Sequence, residues 1–131
     1  MHKSSKKLKP VANLAKQNER SAARLHGSVL NELKKQEERL EELIVYRDQY
    51  LASFNTAMSL GISSIQMQDY RLFIHRLNDA IQQQQQNVLN GQQNRDASKG
   101  SWMDKRNKSK MINKVVENRQ QVEAIKIEKA E

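Results

Sequence analysis

The chain contains a single proline, Pro10, so no later residue forces a helix to break. Pro10 itself suits the first turn of a helix, where a missing N–H leaves no intrahelical hydrogen bond unmade. The commonest residues are mostly good helix formers, whereas Val, Thr and the aromatic residues that favour sheets are sparse. The sequence therefore predicts an all-α fold.

Apolar residues recur at helical spacing through the first half of the chain. They are Val11, Leu14, Ala15, Ala22, Leu25, Val29, Leu33, Leu40, Leu43, Ile44, Leu51, Phe54 and Met58. Alternating steps of three and four residues are typical of the seam of a coiled coil. Two consecutive steps of four, from Leu25 to Leu33, predict a small stutter that locally relaxes the supercoil.

The pattern stops at residues 59–64, the only good turn signal in the chain. Gly61 can adopt the left-handed conformation that ends a helix, and Ser63 followed by Gln66 fits a capping box. A short connection makes two long helices antiparallel neighbours. We predict a coiled-coil hairpin over residues 10–125, with helix 1 at about 10–58, a turn at 59–63 and helix 2 at about 64–125. We expect residues 1–9 to be a disordered basic tail and residues 126–131 to be a frayed C-terminus.

The second helix follows a strict seven-residue register whose apolar content falls away from the turn. Apolar members of the register are Met67, Tyr70, Ile74, Leu77, Ile81, Val88, Trp102, Ile112 and Val116. Between them the register lands on Gln84, Gly91, Arg95, Ser98, Lys105 and Ser109. Gly91 and Gly100 each cost roughly 1 kcal/mol relative to alanine in a helix. We therefore expect residues 90–101 to be loose, bent or partly frayed.

No arrangement of residues points to catalysis, a cofactor or a metal. The chain lacks cysteine, and it shows no phosphate-binding loop, nucleophile motif or carboxylate dyad. His75 and Asp79 are more simply a surface pair one turn apart than metal ligands. A two-helix coil also lacks the concave site that catalysis needs. We expect a non-enzymatic, cytoplasmic protein with no inserted membrane segment.

The net charge of +8 favours an acidic partner. Basic residues cluster at 1–9 and 95–114, which meet at the open end of the predicted hairpin. A nucleic-acid-binding coiled coil is one interpretation, although no reading motif is present and only Trp102 interleaves an aromatic ring with these charges. We expect Trp102 to fill the seam near Arg20. A helix lying on a membrane surface is a weaker alternative, because residues 99–114 hold few large apolar side chains.

Near the turn, the apolar residues exceed what one seam requires. A second stripe on each helix holds Leu43, Tyr46 and Tyr50, and then Phe73, Leu77 and Ala80. A two-stranded coil cannot bury two stripes on each helix, so the pattern predicts an exposed aromatic patch. Such a patch favours a partner-binding site, with a thicker local core or self-association as the alternatives.

The chain contains the segments LIVYRDQY at 43–50, FNTAMSLGISS at 54–64 and YRLFIHRLNDAI at 70–81, joined by AARL at 22–25 and by Trp102 with Lys105 and Arg106. Together these segments resemble the flagellar export protein FliJ family. The resemblance covers roughly residues 11–120. It implies an antiparallel coiled coil similar to the central stalk of rotary ATPases. It also implies a cytoplasmic role in flagellar type III export, at the inner membrane of the flagellar base, with the stalk of a virulence type III system as a close variant.

The resemblance further implies three kinds of partner: the hexameric export ATPase and its regulator, the cytoplasmic part of the export gate membrane protein, and export chaperones. The residues that would face the gate are Leu43, Tyr46, Tyr50, Phe73, Leu77 and Ala80. Those that would lie at the ATPase ring are Lys16, Arg20, Lys105, Arg106, Lys108 and Lys110. No nucleic acid is expected among the partners.

Overall fold

The computed structural model describes residues 5–130, and within that range it consists of two helices that pack against each other. Helix α1 is Ser5–Leu60 and helix α2 is Ser64–Ala130. No strand occurs in the described range. The predicted all-α helical hairpin is confirmed.

Both helices extend beyond their predicted ends. Residues 5–9, which we expected to belong to a disordered tail, form the start of α1, while residues 1–4 lie outside the described range. Helix α2 continues through residues 126–130, with Lys129 in its last turn, where a positive charge favours the helix dipole. Pro10 therefore lies inside α1 and not, as the sequence predicted, in its first turn. Its missing N–H leaves the Lys6 carbonyl without the usual intrahelical donor four residues on.

The connection between the helices is closed by local hydrogen bonds. Gly61 has a φ of +88°, and its N–H donates to the Met58 carbonyl at 3.3 Å. The Ser63 N–H donates to Gln66 Oε1 at 3.2 Å, and the Gln66 N–H donates to Ser63 Oγ at 3.2 Å. This reciprocal pair is the capping box that the sequence predicts.

Residues 29–95 form one compact unit, here called the turn unit. Its seam on α1 is Val29, Leu33, Gln36, Leu40, Leu43, Arg47, Tyr50, Phe54 and Ala57, all buried or half-buried. Its seam on α2 is Met67, Tyr70, Ile74, Leu77, Ile81, Gln84, Val88, Gly91 and Arg95, also buried or half-buried. Both runs alternate steps of three and four residues, as a coiled coil requires.

A polar layer interrupts the apolar seam of the turn unit. Gln84 is only 4% exposed, and its Nε2 donates to the Gln36 carbonyl at 2.9 Å and to Gln36 Oε1 at 2.7 Å. Asn87 in turn donates to Gln84 Oε1 at 3.1 Å. The buried amide is therefore bonded at both ends, which removes most of the cost of burying it.

Residues 5–28 and 96–130 belong to a second compact unit, here called the terminal unit. Its seam on α1 is Ser5, Leu8, Ala12, Ala15, Glu19, Ala22 and His26, and on α2 it is Ser98, Trp102, Ser109, Ile112, Val116, Arg119 and Glu123. Lys105 occupies a seam position of α2 but is exposed. The small residues Ala15, Ala22, Ser98 and Ser109 are buried, so this part of the seam is narrow.

The predicted stutter at Leu25 is wrong. Leu25 is 60% exposed, and His26 takes the half-buried position instead. With His26 in the seam, the steps from Ala22 onward are four, three and four, so the regular alternation continues. Sequence patterning selected the leucine because it is the more apolar neighbour.

The prediction that residues 90–101 are loose, bent or partly frayed is wrong as to fraying, because α2 is continuous through them. Gly91 lies in the seam of the turn unit. A Cβ added there would meet Leu33 Cδ1 at 3.0 Å. The glycine thus permits a close approach of the two helices and is not a point of weakness.

Three glycines provide a stability test based on backbone conformation. We expect Gly100→Ala to raise the free energy of unfolding by roughly 0.5–1 kcal/mol, because its Cβ meets nothing within 4 Å and alanine is the better helix former. We expect Gly91→Ala to gain less, because its methyl group presses on Leu33. Gly61→Ala should lower the free energy of unfolding by about 1 kcal/mol, because alanine is strained at the positive φ of this position. Urea unfolding followed by circular dichroism measures all three, and equal gains at positions 91 and 100 would contradict the packing of Gly91.

Candidate partner-binding surfaces

Five aromatic side chains form a cluster between the helices of the turn unit. The ring centroids of Tyr50 and Phe73 are 4.5 Å apart, and that of Phe73 is 6.2 Å from Tyr46 in an edge-to-face arrangement. Tyr70 lies 5.3 Å from both Tyr50 and Phe54. Separations and tilts of this kind are favourable for aromatic pairs. We call Tyr46, Tyr50, Phe54, Tyr70 and Phe73 the aromatic cluster.

The structure divides the six residues of the predicted gate-facing set by burial. Leu77 is 8% exposed and belongs to the core, so it cannot offer a surface. Leu43, Tyr50 and Phe73 are half-buried, whereas Ala80 and Tyr46 are exposed. The predicted second stripe is therefore not a separate stripe. Leu43, Tyr50 and Leu77 lie in the seam itself, whereas Tyr46, Phe73 and Ala80 lie beside it, with Tyr46 as the most accessible aromatic ring.

The Tyr50 hydroxyl stays protonated at neutral pH. Burial raises the pKa of this phenol above its ordinary value, and the neighbouring Tyr70, Tyr46 and Asp69 act in the same direction. The group is therefore a neutral hydrogen-bond donor and acceptor in any contact with a partner.

An acidic surface that the pattern analysis did not assign adjoins Tyr46 on α1. A shallow groove there is lined by Glu38, Glu41, Glu42, Val45, Tyr46 and Gln49. Val45 and Tyr46 are both exposed. Steps of four residues place Glu38, Glu42 and Tyr46 on one face of a helix, so the spacing in the sequence could have identified this surface.

The predicted ATPase-facing residues all lie in the terminal unit. Lys16 and Arg20 are exposed on α1, and Lys105, Arg106, Lys108 and Lys110 are exposed on α2. The charges are therefore available to a partner, and their mutual repulsion favours an acidic one.

Trp102 fills the seam of the terminal unit, as the sequence predicts, but its ring packs on His26. The two rings are stacked with centroids 5.8 Å apart and an interplanar angle of 16°. The guanidinium of Arg106 lies 5.9 Å from the Trp102 centroid, within cation–π range. His26 Nδ1 is hydrogen-bonded to Ser98 Oγ at 2.7 Å. This stack therefore restrains the Arg106 guanidinium at the basic surface.

The first turn of α1 is capped by a carboxylate from α2. The Ser5 N–H donates to Glu123 Oε1 at 2.9 Å, and Ser5 Oγ donates to Glu123 Oε2 at 2.7 Å. These two hydrogen bonds lower the pKa of the Glu123 carboxyl, burial opposes them, and Arg119 and Lys126 add to the lowering. A carboxylate at a helix N-terminus also complements the helix dipole.

No group of three or more His, Asp or Glu side chains within residues 5–130 could hold a metal ion. His75 and Asp79 form an exposed pair one helical turn apart, with 3.4 Å between Nε2 and Oδ2, as predicted. Neither helix, within the part described, has a stretch long and apolar enough to cross a bilayer.

The described residues define a protein of the coiled-coil hairpin class, with an aromatic cluster in one unit and a basic surface in the other. The model of the flagellar FliJ protein family matches residues 4–131. The flagellar FliJ protein of Escherichia coli (strain K12) is 34% identical over 99 residues, which is 76% of this chain and 67% of the relative. That of Salmonella typhi is 33% identical over the same shares.

The chain therefore belongs to the flagellar FliJ protein family. Family membership indicates a component of flagellar type III protein export, and the family is not a known enzyme family. The matches are to flagellar proteins, which favours the flagellar interpretation over the virulence variant.

The Ser5–Glu123 cap predicts a pH-dependent first turn of α1. Because the folded pKa of Glu123 is lowered, the cap is complete above the carboxyl's ordinary pKa of 4.5 and is lost as pH falls through the lower folded value. The amide chemical shifts of Ser5 and Lys6 should follow that titration in NMR spectra. In Glu123→Gln the shifts should no longer respond, whereas Glu117→Gln should behave as the wild type. An unchanged titration in Glu123→Gln would contradict the cap.

Proposed function

We propose that the protein is a non-enzymatic stalk of the flagellar export apparatus that promotes the hexameric export ATPase, couples it to the export gate and escorts export chaperones. The observation that carries the proposal is the aromatic cluster on a chain of the FliJ family. The proposed location is the cytoplasm, with peripheral association at the inner membrane of the flagellar base. The ATPase regulator is a further proposed partner.

The aromatic cluster is the proposed contact for the cytoplasmic part of the gate protein. Tyr46 offers an exposed ring that Phe73 holds in place from α2. Leu43, Tyr50, Phe73 and Ala80 surround it as the rest of the contact. Aromatic residues that are partly exposed and held by neighbours lose little side-chain entropy on binding, which makes them suitable interface anchors. Leu77 is buried in the core and supports this surface by packing, without contacting the partner itself.

Substitutions at Tyr46 and Leu77 should distinguish an effect on gate binding from an effect on folding. Tyr46→Ala should abolish or strongly reduce gate binding and swimming, while changing the free energy of unfolding by about 1 kcal/mol or less, because its ring is half exposed. Leu77→Ala should destabilise by about 2 kcal/mol or more, because it removes a core side chain. Pull-down with the cytoplasmic part of the gate, motility assays and thermal unfolding test this. Normal gate binding by a folded Tyr46→Ala protein would refute the assignment.

The basic surface of the terminal unit is the proposed contact for the ATPase ring. Its members come from both helices and are exposed, so that an acidic lining of a ring could reach them together. Charges at an interface rim chiefly accelerate association and select partners. Stimulation of the ATPase is therefore expected to weaken as salt concentration rises.

The ATPase assignment is tested by the hydrolysis rate of the cognate hexamer with and without this protein, together with counts of closed rings by electron microscopy. We expect both to rise. The double variant Lys105→Glu, Lys108→Glu should lose most of the stimulation, whereas Arg71→Glu, an exposed position in the turn unit, should retain it. Stimulation that is equal in the two variants would exclude the basic surface as the contact.

A further inference from the structure

The terminal unit leaves a set of large apolar side chains exposed. Between 45% and 70% of each is accessible. On α1 they are Val11, Leu14 and Leu25, and on α2 they are Met111, Val115 and Val122. The seam uses none of them, and they are not among the residues proposed above for the gate or the ATPase.

These side chains share one flank of the helix pair. Val11 and Leu25 immediately precede the seam residues Ala12 and His26, just as Val115 immediately precedes the seam residue Val116. In an antiparallel pair, positions that precede equivalent seam residues on the two helices adjoin one another. The same holds for Val122, before Glu123, while Leu14 and Met111 lie one turn along their helices from Val11 and Val115.

A groove runs between the two helices on this flank. Its small cavity of about 120 Å³ is lined by Val11, Leu14, Ala15 and Asn18 from α1 and by Lys105, Lys108 and Ile112 from α2. The floor is apolar, and two ammonium groups stand at the edge. Such a groove accepts an apolar side chain whose neighbours carry negative charge.

The spacing of the exposed residues fits a helical occupant. Val11 and Leu14 are three residues apart, and Met111 and Val115 are four apart. These steps repeat the seam spacing on a second face, which is the pattern by which a helix pair accepts a third helix. A membrane surface fits less well, because this face carries no Trp, Tyr or Phe to enter the lipid interface. A second copy is disfavoured, because it would bring two basic surfaces together.

We propose that this groove binds an amphipathic α-helix of a partner protein, apolar on one face and acidic along its edges, as a third helix of the terminal unit. Apolar side chains of that helix would enter the groove between Val11, Leu14 and Ile112, on the flank that also carries Val115. Carboxylates beside them would meet Lys105 and Lys108. This goes beyond ATPase stimulation and does not depend on it, although two lysines are shared.

The test uses the full chain and a synthetic helical peptide with leucines on one face and glutamates on the other. Its counterpart with lysines in place of glutamates is the charge control. Fluorescence anisotropy should show binding of the acidic peptide only. Leu14→Glu and Val115→Glu should each weaken that binding roughly tenfold or more, because each places a carboxylate in the apolar contact. Met103→Glu is the matched variant, since Met103 is exposed but immediately follows the seam residue Trp102 and so lies on the opposite flank.

Circular dichroism on each variant ensures that lost binding is not lost folding. Absence of binding by the acidic peptide, or an equal loss in Met103→Glu and Val115→Glu, would overturn the proposal. Two other results would also overturn it, provided that the acidic peptide does not bind. One is binding of the wild-type protein to anionic vesicles that Val115→Glu abolishes. The other is dimerisation of the wild-type protein in sedimentation that Val115→Glu abolishes. The peptide-binding assay contains no ATPase, so a negative result there would not affect the proposed stalk function. Conversely, a lack of ATPase stimulation would not affect the proposed binding of a partner helix.

Discussion

Each helix buries one side chain every three or four residues along a single line, and the opposing helix is held only along that line. Two helices cannot enclose a wide core, so the seam must gain stability from many small contacts in regular sequence. In the terminal unit, Ala15, Ala22 and Ser109 keep it narrow. In the turn unit, Gly91 packs against Leu33 and keeps the seam narrow there. The regular phase of these contacts decides which residues face outward.

Polar layers within the seam restrict the register. Gln84 satisfies its amide on Gln36, and His26 bonds Ser98 while stacking on Trp102. A shift of one helix along the other would leave these groups buried without partners, at a cost of about 1–3 kcal/mol for each. An apolar seam alone tolerates such shifts more readily. The polar layers therefore give specificity to a seam that is poor in large apolar residues, and they place the surface residues of each unit reproducibly.

The narrow seam also explains where binding surfaces arise. The apolar side chains that flank the seam are too exposed to belong to the core, and their exposure to water is unfavourable. In the turn unit, Phe73 packs against both Tyr46 and Tyr50, so the same rings contribute to packing and to a surface. In the terminal unit, Val11 and Val115 contribute little to the seam and remain available. A fold of two helices that cannot bury all of its apolar residues leaves such side chains at its surface in both units.

The sequence by itself determined the helices, their connection at Gly61 and Ser63, and the seven-residue register of α2, because these depend on backbone propensity and on spacing along one chain. It also identified the aromatic residues near the turn and the basic segments. Only the tertiary structure decided that Tyr50 enters the seam while Tyr46 stays exposed, that His26 and not Leu25 enters it, and that α2 is continuous past Gly91. Those outcomes depend on what each side chain meets on the other helix. Hydrophobicity ranks a residue's tendency to be buried, but the opposing surface decides whether the space, and a hydrogen-bond partner, are there.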